Sequence, residues 1–515
     1  MPWPIATFLI VISSSYGVAA TYYVSPSGSN AANGSATSPW ESLQYAADQV
    51  SAGDRVIVRP GDYVGFHLTR SGVADGRIEF LAEPGARVTA RNGTTPDGIN
   101  LEGASYVTID GFEVIGMPRA GVRTVGPYVG GQQAFAEFVT IRNTISRDNT
   151  VWGILTGFVD DLLIEGNRTS NSAREHGIYV GNSGDRPIIR NNTSFGNRAN
   201  GIHVNADVSS GLDGVIEEAH IDGNVIYDNG VGGGSGINLD GVRNSVIENN
   251  LIYNAHASGI SLYRIDGAEP SSGNVVANNT IHQANDGRWA LNLQNGSTDT
   301  TIANNILISD HSSRGAIDIS QDSLTGTVSD YNVMISRLTT NGGGSILTLP
   351  QWQTQTGLDS NSLVATADEL FVDATAGDYR LREGSPARDA GWNQLAPAAD
   401  LEGTPRPQGA VVDIGAYEAP VSIPGDYNSD GVIDAADYTS WRDAVGQPAG
   451  TLPNDVDGGV IGPAQYATWQ ANYGSGVDDA STRLLGSLGH APEPTTAALL
   501  WLGLAMASHV RRRQP

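Results

Sequence analysis

The side chains that could do chemistry together recur at regular spacing: Tyr179, His203, Asn205, Asn238, Asp240, Tyr263 and Arg264, with His176 just before Tyr179. Phenol, imidazole, carboxylate and guanidinium are the groups that a β-elimination beside a carboxylate needs. It takes a base for the α proton, positive charge or hydrogen bonds on the carboxylate, and an acid for the leaving oxygen. In that scheme His203 is the base and Tyr179 the acid, with Asn205 beside them. Arg264, or a calcium ion held by Asp240, partners the substrate carboxylate. His176 sits at a corner whose direction the pattern does not fix, and ranks below His203. Returning the proton to the same carbon would make the reaction an epimerisation. Lysine is absent, so a lysine base is excluded. Asp207, Asp213 and Glu217 offer the paired carboxylates of a glycoside hydrolase as an alternative, without a readable separation. The third class is a non-catalytic surface that binds or organises extracellular polysaccharide.

A second set of candidate ligands lies in GDYNSDGVIDAADYTSW. Asp426, Asn428, Asp430, Asp434 and Asp437 occupy positions 1, 3, 5, 9 and 12 of a loop with Gly431 at position 6. That is the spacing of an EF-hand loop, in which oxygen ligands converge on Ca2+ and glycine permits the sharp turn. A second copy, NDVDGGVIGPAQYATWQANYG, has Val456, Gly458 and Gly462 where the first has Asn428, Asp430 and Asp434. Its site is degraded, so one calcium per chain is expected.

The elements that must position the first set are repeats. One phrase is an apolar residue, a polar residue and Asn or Gly-Asn: IRN at Ile141, IEGN at Ile164, IRNN at Ile189, IDGN at Ile221, IENN at Ile247, VANN at Val276 and IANN at Ile302. The other begins with Gly or Ala: GILT at Gly153, GIYV at Gly177, GIHV at Gly201, GINL at Gly236, GISL at Gly259, ALNL at Ala290 and AIDI at Ala316. From Asn143 to Asn305 six steps cover 162 residues, a mean period of 27, which is a solenoid period. Apolar and polar residues alternate with the strand period of two. The pattern therefore predicts an all-β parallel β-helix, coils about 4.8 Å apart. Ile and Val of the second phrase point inward, so Tyr179, His203, Asn238 and Ser261 form one outward column and Asn205, Asp240 and Tyr263 the next. Asn tolerates the left-handed corner conformation and can hydrogen-bond along the stack. Sequons such as Asn192-Thr193-Ser194 are accordingly expected to be corners and not glycan acceptors.

YYVSPSGSN, the helical spacing of Leu43, Ala46, Ala47 and Val50, and the following strand Arg55 to Val58 resemble the N-terminal cap of secreted right-handed β-helix proteins of the pectate-lyase-like superfamily. The resemblance runs through the coils to about Gln321. RLREGSPARDAG to DIGAYE resembles the module that closes many such helices, where it would bury the last coil edge. The calcium-loop segment through Tyr473 resembles dockerin modules, which implies a cohesin-like protein partner. Pro492-Glu493-Pro494, an apolar run from Ala497 to Val510 and Arg511 to Arg513 resemble a PEP-CTERM sorting signal. That implies transient membrane association and a sorting peptidase. About 14 apolar residues fall short of the ~20 that a comfortable membrane span needs.

Met1 to Ala20 has the apolar run and small residues of a secretory signal. The expected organisation is a signal at 1–20, a capped β-helix at 21–372, a closing module at 373–419, a dockerin-like domain at 420–476, a linker at 477–490 and a sorting signal at 491–515. Cysteine is absent and the net charge is -26, which excludes disulfides and argues against nucleic acid as partner. Between Met117 and His203 the balance inverts, nine Arg against seven Asp or Glu. A positive groove on an acidic exported protein would suit an acidic polysaccharide.

Overall fold

The computed structural model describes residues 19–420 and 423–474, in one unit through Ala419 and a second from Pro420. The secretory and sorting signals and the linker lie outside the described residues, apart from Ala19 and Ala20.

The first unit is a parallel β-solenoid of about 12 turns, built from three sheets of 12, 11 and 12 strands. Each repeat contributes one short strand to each sheet. The first sheet holds the Asn-ended phrases, such as Ile188–Arg190 and Val246–Glu248, and the second holds the Gly-led phrases, such as Ile178–Asn182, Ile202–Ala206 and Ser235–Asp240. Alternation works as expected. Ile178, Ile202, Ile237, Leu239 and Ile260 are fully buried, so a continuous apolar column runs the length of the stack. The Gly that opens each phrase is required by close approach: a Cβ on Gly177 would sit 2.1 Å from Ser194 Oγ, and one on Gly201 would sit 2.4 Å from Ile226 Cγ2.

The asparagine doublets divide two jobs between them. The first residue takes the left-handed corner, as at Asn191 (φ 56°), Asn249 (φ 53°) and Asn304 (φ 57°), with Gly166 and Gly223 in the same place where the phrase reads Gly-Asn. The second points inward and forms a ladder. Asn167, Asn192, Asn224, Asn250, Asn279 and Asn305 each donate Nδ2 to the Oδ1 of the next at 2.9–3.1 Å, ending on Asn332. Each of those Oδ1 atoms also accepts the backbone N–H of the coil before it. Buried amides stay in the core because every polar atom is satisfied. Asn192 is 1 % exposed, which places that sequon asparagine out of reach of a glycan.

At the N-terminal end the helix Leu43–Gln49 packs on the strands Thr21–Val24 and Phe66–Leu68. Ser42 caps it by accepting Tyr45 N–H, and Leu43, Ala46 and Ala47 are buried.

The segment expected to bury the last coil edge does something else. The last coil receives the helix Leu349–Thr356, whose fully buried Trp352 joins the main core and donates to Asp359. Residues 371–418 instead lie along the side of the stack. Phe371, Tyr379, Leu381 and Ile414 cover Leu251, Ile306, Ile308 and Val333 of the third sheet. The corner asparagines dock them: Asn249 donates to Ala399 O, Asn278 to Gly415 O and Asn304 to Trp392 O. Arg406, its side chain buried, pairs with Glu418 at 3.0 Å and donates to Gly415 O. Strands such as LIY and ILIS are apolar on both faces because both faces are covered.

The second unit holds helices Ala435–Ala444 and Pro463–Asn472 around Tyr427, Ala444, Leu452 and Ile461. Its two copies exchange equivalent bonds. Trp441 donates to Gly462 O and Trp469 to Asp434 O, while Gly446 N–H meets Ile461 O and Gly474 N–H meets Ile433 O. Among the described residues no helix is long and apolar enough to cross a membrane.

Candidate functional site

Strand register puts the expected residues side by side on the second sheet. Leu155, Tyr179, His203, Asn238, Ser261, Asn292 and Asp318 are consecutive partners down one outward column. Gly181, Asn205, Asp240 and Tyr263 are partners in the column beside it. Asn238, Ser261, Asn292 and Tyr263 of these columns line a cleft of about 280 Å3 together with Arg288, while Tyr179, His203 and Asn205 lie next to that lining and not on it.

Tyr179, His176 and His203 form one aromatic cluster. The Tyr179 ring stacks on His176 at 5.4 Å and meets His203 edge-on at 5.2 Å. His176, whose direction the sequence left open, turns into the patch: its Nε2 lies 3.1 Å from His203 Nδ1. Its Nδ1 receives the backbone N–H and the side-chain amide of Asn200, both at 3.2 Å. Asn200, adjacent to the GIHV phrase, was missed because nothing in its spacing marks it. Burial pushes the His176 imidazole down to about 4. Burial and then the neighbouring His176 push His203 well below the ordinary histidine value, so both rings are neutral at pH 7. Burial raises the Tyr179 phenol, against the pull of the Asn205 amide that donates to its oxygen at 3.1 Å. Three polar atoms here are covered from solvent yet lack a partner: His203 Nε2, Asn205 Oδ1 and Asn238 Oδ1. Such atoms are rare in folded proteins and invite a ligand.

Other expected members do different work. Asp240 gives its carboxylate to the backbone N–H groups of Ile265, Asp266 and Gly267 at 2.9–3.2 Å, which holds that turn. Committed and 1 % exposed, it is not a groove calcium ligand or carboxylate partner. Arg264 is exposed on that turn and is not among the residues lining the cleft. Asp207 accepts both Ser209 groups and the Ser210 hydroxyl as the cap of a short helix, so it is not a poised hydrolase acid. Asp213 accepts Val215 N–H and Glu217 accepts the Asn244 amide.

The positive segment does not make a positive groove. Of its nine arginines only Arg123 lies in a strand of the second sheet, and it is engaged with Glu102 and Asn100. Arg142 and Arg190 belong to a column of the first sheet, in the order Asp110, Arg142, Glu165, Arg190, Asp222, Glu248. Arg142 pairs with Asp110 at 2.8 Å and Arg190 with Glu165 at 2.7 Å. The cation at the cleft is Arg288, outside the segment that composition singled out.

A larger cleft of about 480 Å3 opens where residues 374–379 cross the third sheet. Tyr379 OH meets His282 Nδ1 at 3.2 Å, and His282 Nε2 lies 3.0 Å from Asp310 without the alignment of a hydrogen bond. Its lining includes Asp228 and Asp310 and no arginine, which suits an anionic polymer poorly.

In the second unit Asp426, Asp430 and Asp437 bring carboxylate oxygens within 4.8 Å of one another. Burial lifts the Asp426 carboxyl above its ordinary range. Asp437 and Asp430 add to the lift, against hydrogen bonds from the Gly431 and Asp430 N–H groups. Converging acids with no basic partner fit a hard cation, as Ca2+ would be. Asn428 and Asp434 lie outside that trio: Asn428 bonds Asp430, and Asp434 caps the helix through Ala436 N–H. In the second copy Gln465 stands where Asp437 does and satisfies itself on Gly462 N–H and Gly458 O. Calorimetric titration of the full chain should therefore give about one calcium site, weakened strongly by Asp430→Asn; two equivalent sites would contradict this assignment.

With this geometry in place, a family profile for a Pel9A-like, right handed beta helix region matches residues 22–153, and one for a right handed beta helix region matches residues 152–330. The solenoid is a right-handed β-helix of the pectate-lyase-like type. Pectate lyase PEL9 of Emericella nidulans is 38% identical over 74 residues, 14% of this chain and 18% of that protein, so the chain spans under a fifth of that relative's length. The structure of pectate lyase Pel9A matches with a TM-score of 0.49 and 16% identity, covering 78% of this chain and 97% of that one. A rhamnogalacturonan lyase matches with 0.43 and 15%, covering 69% and 91%. An alginate lyase from Paenibacillus sp. str. FPU-7 matches with 0.36 and 16%, covering 58% and 95%.

Proposed function

We propose that the chain is an exported enzyme acting on an acidic polysaccharide, a lyase that cleaves by β-elimination at the Tyr179–His203 patch. The observation that carries this reading is the cluster of unpartnered polar atoms at His203, Asn205 and Asn238, beside a cleft with Arg288 on its lining. A flat, repeating outward column suits a polymer, whose sugars can lie along the stack axis. Tyr179, its oxygen held by Asn205, takes the α proton as the phenolate and passes that proton to the leaving oxygen, so one group serves as base and then as acid, and His203 faces the same sugar. The helix Leu43–Gln49 serves as the cap that keeps the first coil from edge-to-edge pairing. The second unit is a dockerin-like calcium module that joins the enzyme to a cohesin-like partner. A pectate lyase among the relatives and three lyases among structures of similar fold accord with this reading.

Incubation with a panel of uronans and analysis of the products tests the proposal. Unsaturated uronate ends are expected on at least one polymer. New saturated reducing ends would indicate a hydrolase, and an unchanged polymer throughout would leave only a binding role.

A further inference from the structure

The backbone N–H of Asn200 points at His176 Nδ1 at 3.2 Å. A backbone N–H only donates, so Nδ1 is the accepting nitrogen. The Asn200 side chain agrees: its Oδ1 takes Ser235 N–H at 2.5 Å, which turns its NH2 toward the same Nδ1. A neutral imidazole that accepts at Nδ1 carries its proton on Nε2. That nitrogen faces His203 Nδ1 at 3.1 Å, with the Glu175 carboxylate farther off at 3.6 Å. His203 Nδ1 therefore accepts, and His203 holds its own proton on Nε2, the covered atom without a partner.

We propose that the chain Asn200–His176–His203 fixes His203 as a hydrogen-bond donor whose built-for acceptor is the carboxylate of a uronate residue. This rests on the acidic-polysaccharide reading above. It replaces the role of base expected from the sequence, because an Nε2 that already bears a proton has no lone pair to offer. The opposite arrangement would set a proton on His176 Nδ1 against both Asn200 donors. A neutral imidazole is a suitable electrophile: it needs no reorganisation to bond an oxygen on which charge grows as the α proton passes to the Tyr179 oxygen. The neighbours fit the same ligand. Asn238 on the next coil and Asn205 two residues along the strand each present a carbonyl oxygen without a partner. One donor set between two acceptors complements a carboxylate flanked by hydroxyl groups. Asn200 and His176 do not reach the substrate and act as positioning residues.

Nitrogen-15 NMR of the full chain labelled in histidine tests this, with His203→Gln identifying the His203 signals. Both rings should be neutral and protonated on Nε2 at pH 7. Sodium galacturonate should move the His203 Nε2–H resonance, and methyl glucoside should leave it in place. In His176→Phe the His203 ring should become a mixture of tautomers, and turnover should fall by about 10- to 100-fold, the range typical for loss of an orienting partner. His176→Gln, whose amide can still donate to Nδ1, should keep the wild-type signature. A His203 protonated on Nδ1, a charged His203, or equal responses to the two sugars would overturn the proposal, as would a His203 signal unchanged in His176→Phe. The wild-type spectrum reads the tautomer without any substrate. An Nε2–H His203 in a protein that forms no unsaturated product sinks the lyase reading alone, and a lyase with an Nδ1–H His203 sinks this inference alone.

Discussion

Tyr179→Phe should lower turnover of the preferred uronan by about 10²- to 10⁴-fold, the usual worth of a positioned proton-transfer group. The ring would stay, stacked on His176 and edge-on to His203, so the loss falls on the hydroxyl alone. Asn205 Nδ2 would lose its acceptor, which costs about 1–3 kcal/mol if water does not replace it. The thermal transition should therefore move little. His203→Ala should cost about 10²- to 10³-fold in turnover, the scale of one lost donor to developing negative charge. Steady-state kinetics and calorimetry on the same preparations separate the two effects. A Tyr179→Phe protein at the parent rate would remove the patch from the mechanism.

The largest stability effect is expected at Asn224→Ala. Asn224 Oδ1 accepts both the backbone and the side-chain N–H of Asn192, and its Nδ2 bonds Ile189 O, Asp222 O and Asn250 Oδ1. Truncation strands buried groups on two neighbouring coils at about 1–3 kcal/mol each, so a total of at least about 3 kcal/mol is expected. Asn191→Ala, one residue from its ladder neighbour, should cost about 1–2 kcal/mol, because it loses only a residue at ease in the left-handed corner. Denaturant unfolding of both variants checks the order. Equal effects would show that the two asparagines of a doublet do not divide the work as described.

The solenoid was readable because each coil repeats two short phrases and alternation fixes which side chains leave the stack. That is why the sequence alone places Tyr179, His203, Asn238 and Ser261 in one column, as the strand register does. The convergence of Asp426, Asp430 and Asp437 was readable for a similar reason, their spacing lying within one short loop. What failed was whatever depends on the far partner of a side chain. Asp240 stands in the expected place but is consumed by a turn 25 residues later. Of the arginines that suggested a positive groove, Arg142, Arg147 and Arg190 pair with acids one coil away on the other two sheets. Asn200 and the turn of His176 into the patch follow from a coil corner, where the period of two no longer applies. The side position of residues 371–418 had a signal that went unused: LIY and ILIS are apolar on both faces.

The claim at the centre of the account is that polymer lies along the second sheet at Tyr179 and His203. Hydrogen exchange with mass analysis on the Tyr179→Phe protein, with and without an oligomer of the cleaved uronan, tests it most directly. The account predicts slowed exchange in peptides covering 178–182, 202–206 and 235–240. Slowed exchange confined to 282–284 and 374–379, with the second sheet unchanged, would contradict it and place the polymer in the larger cleft.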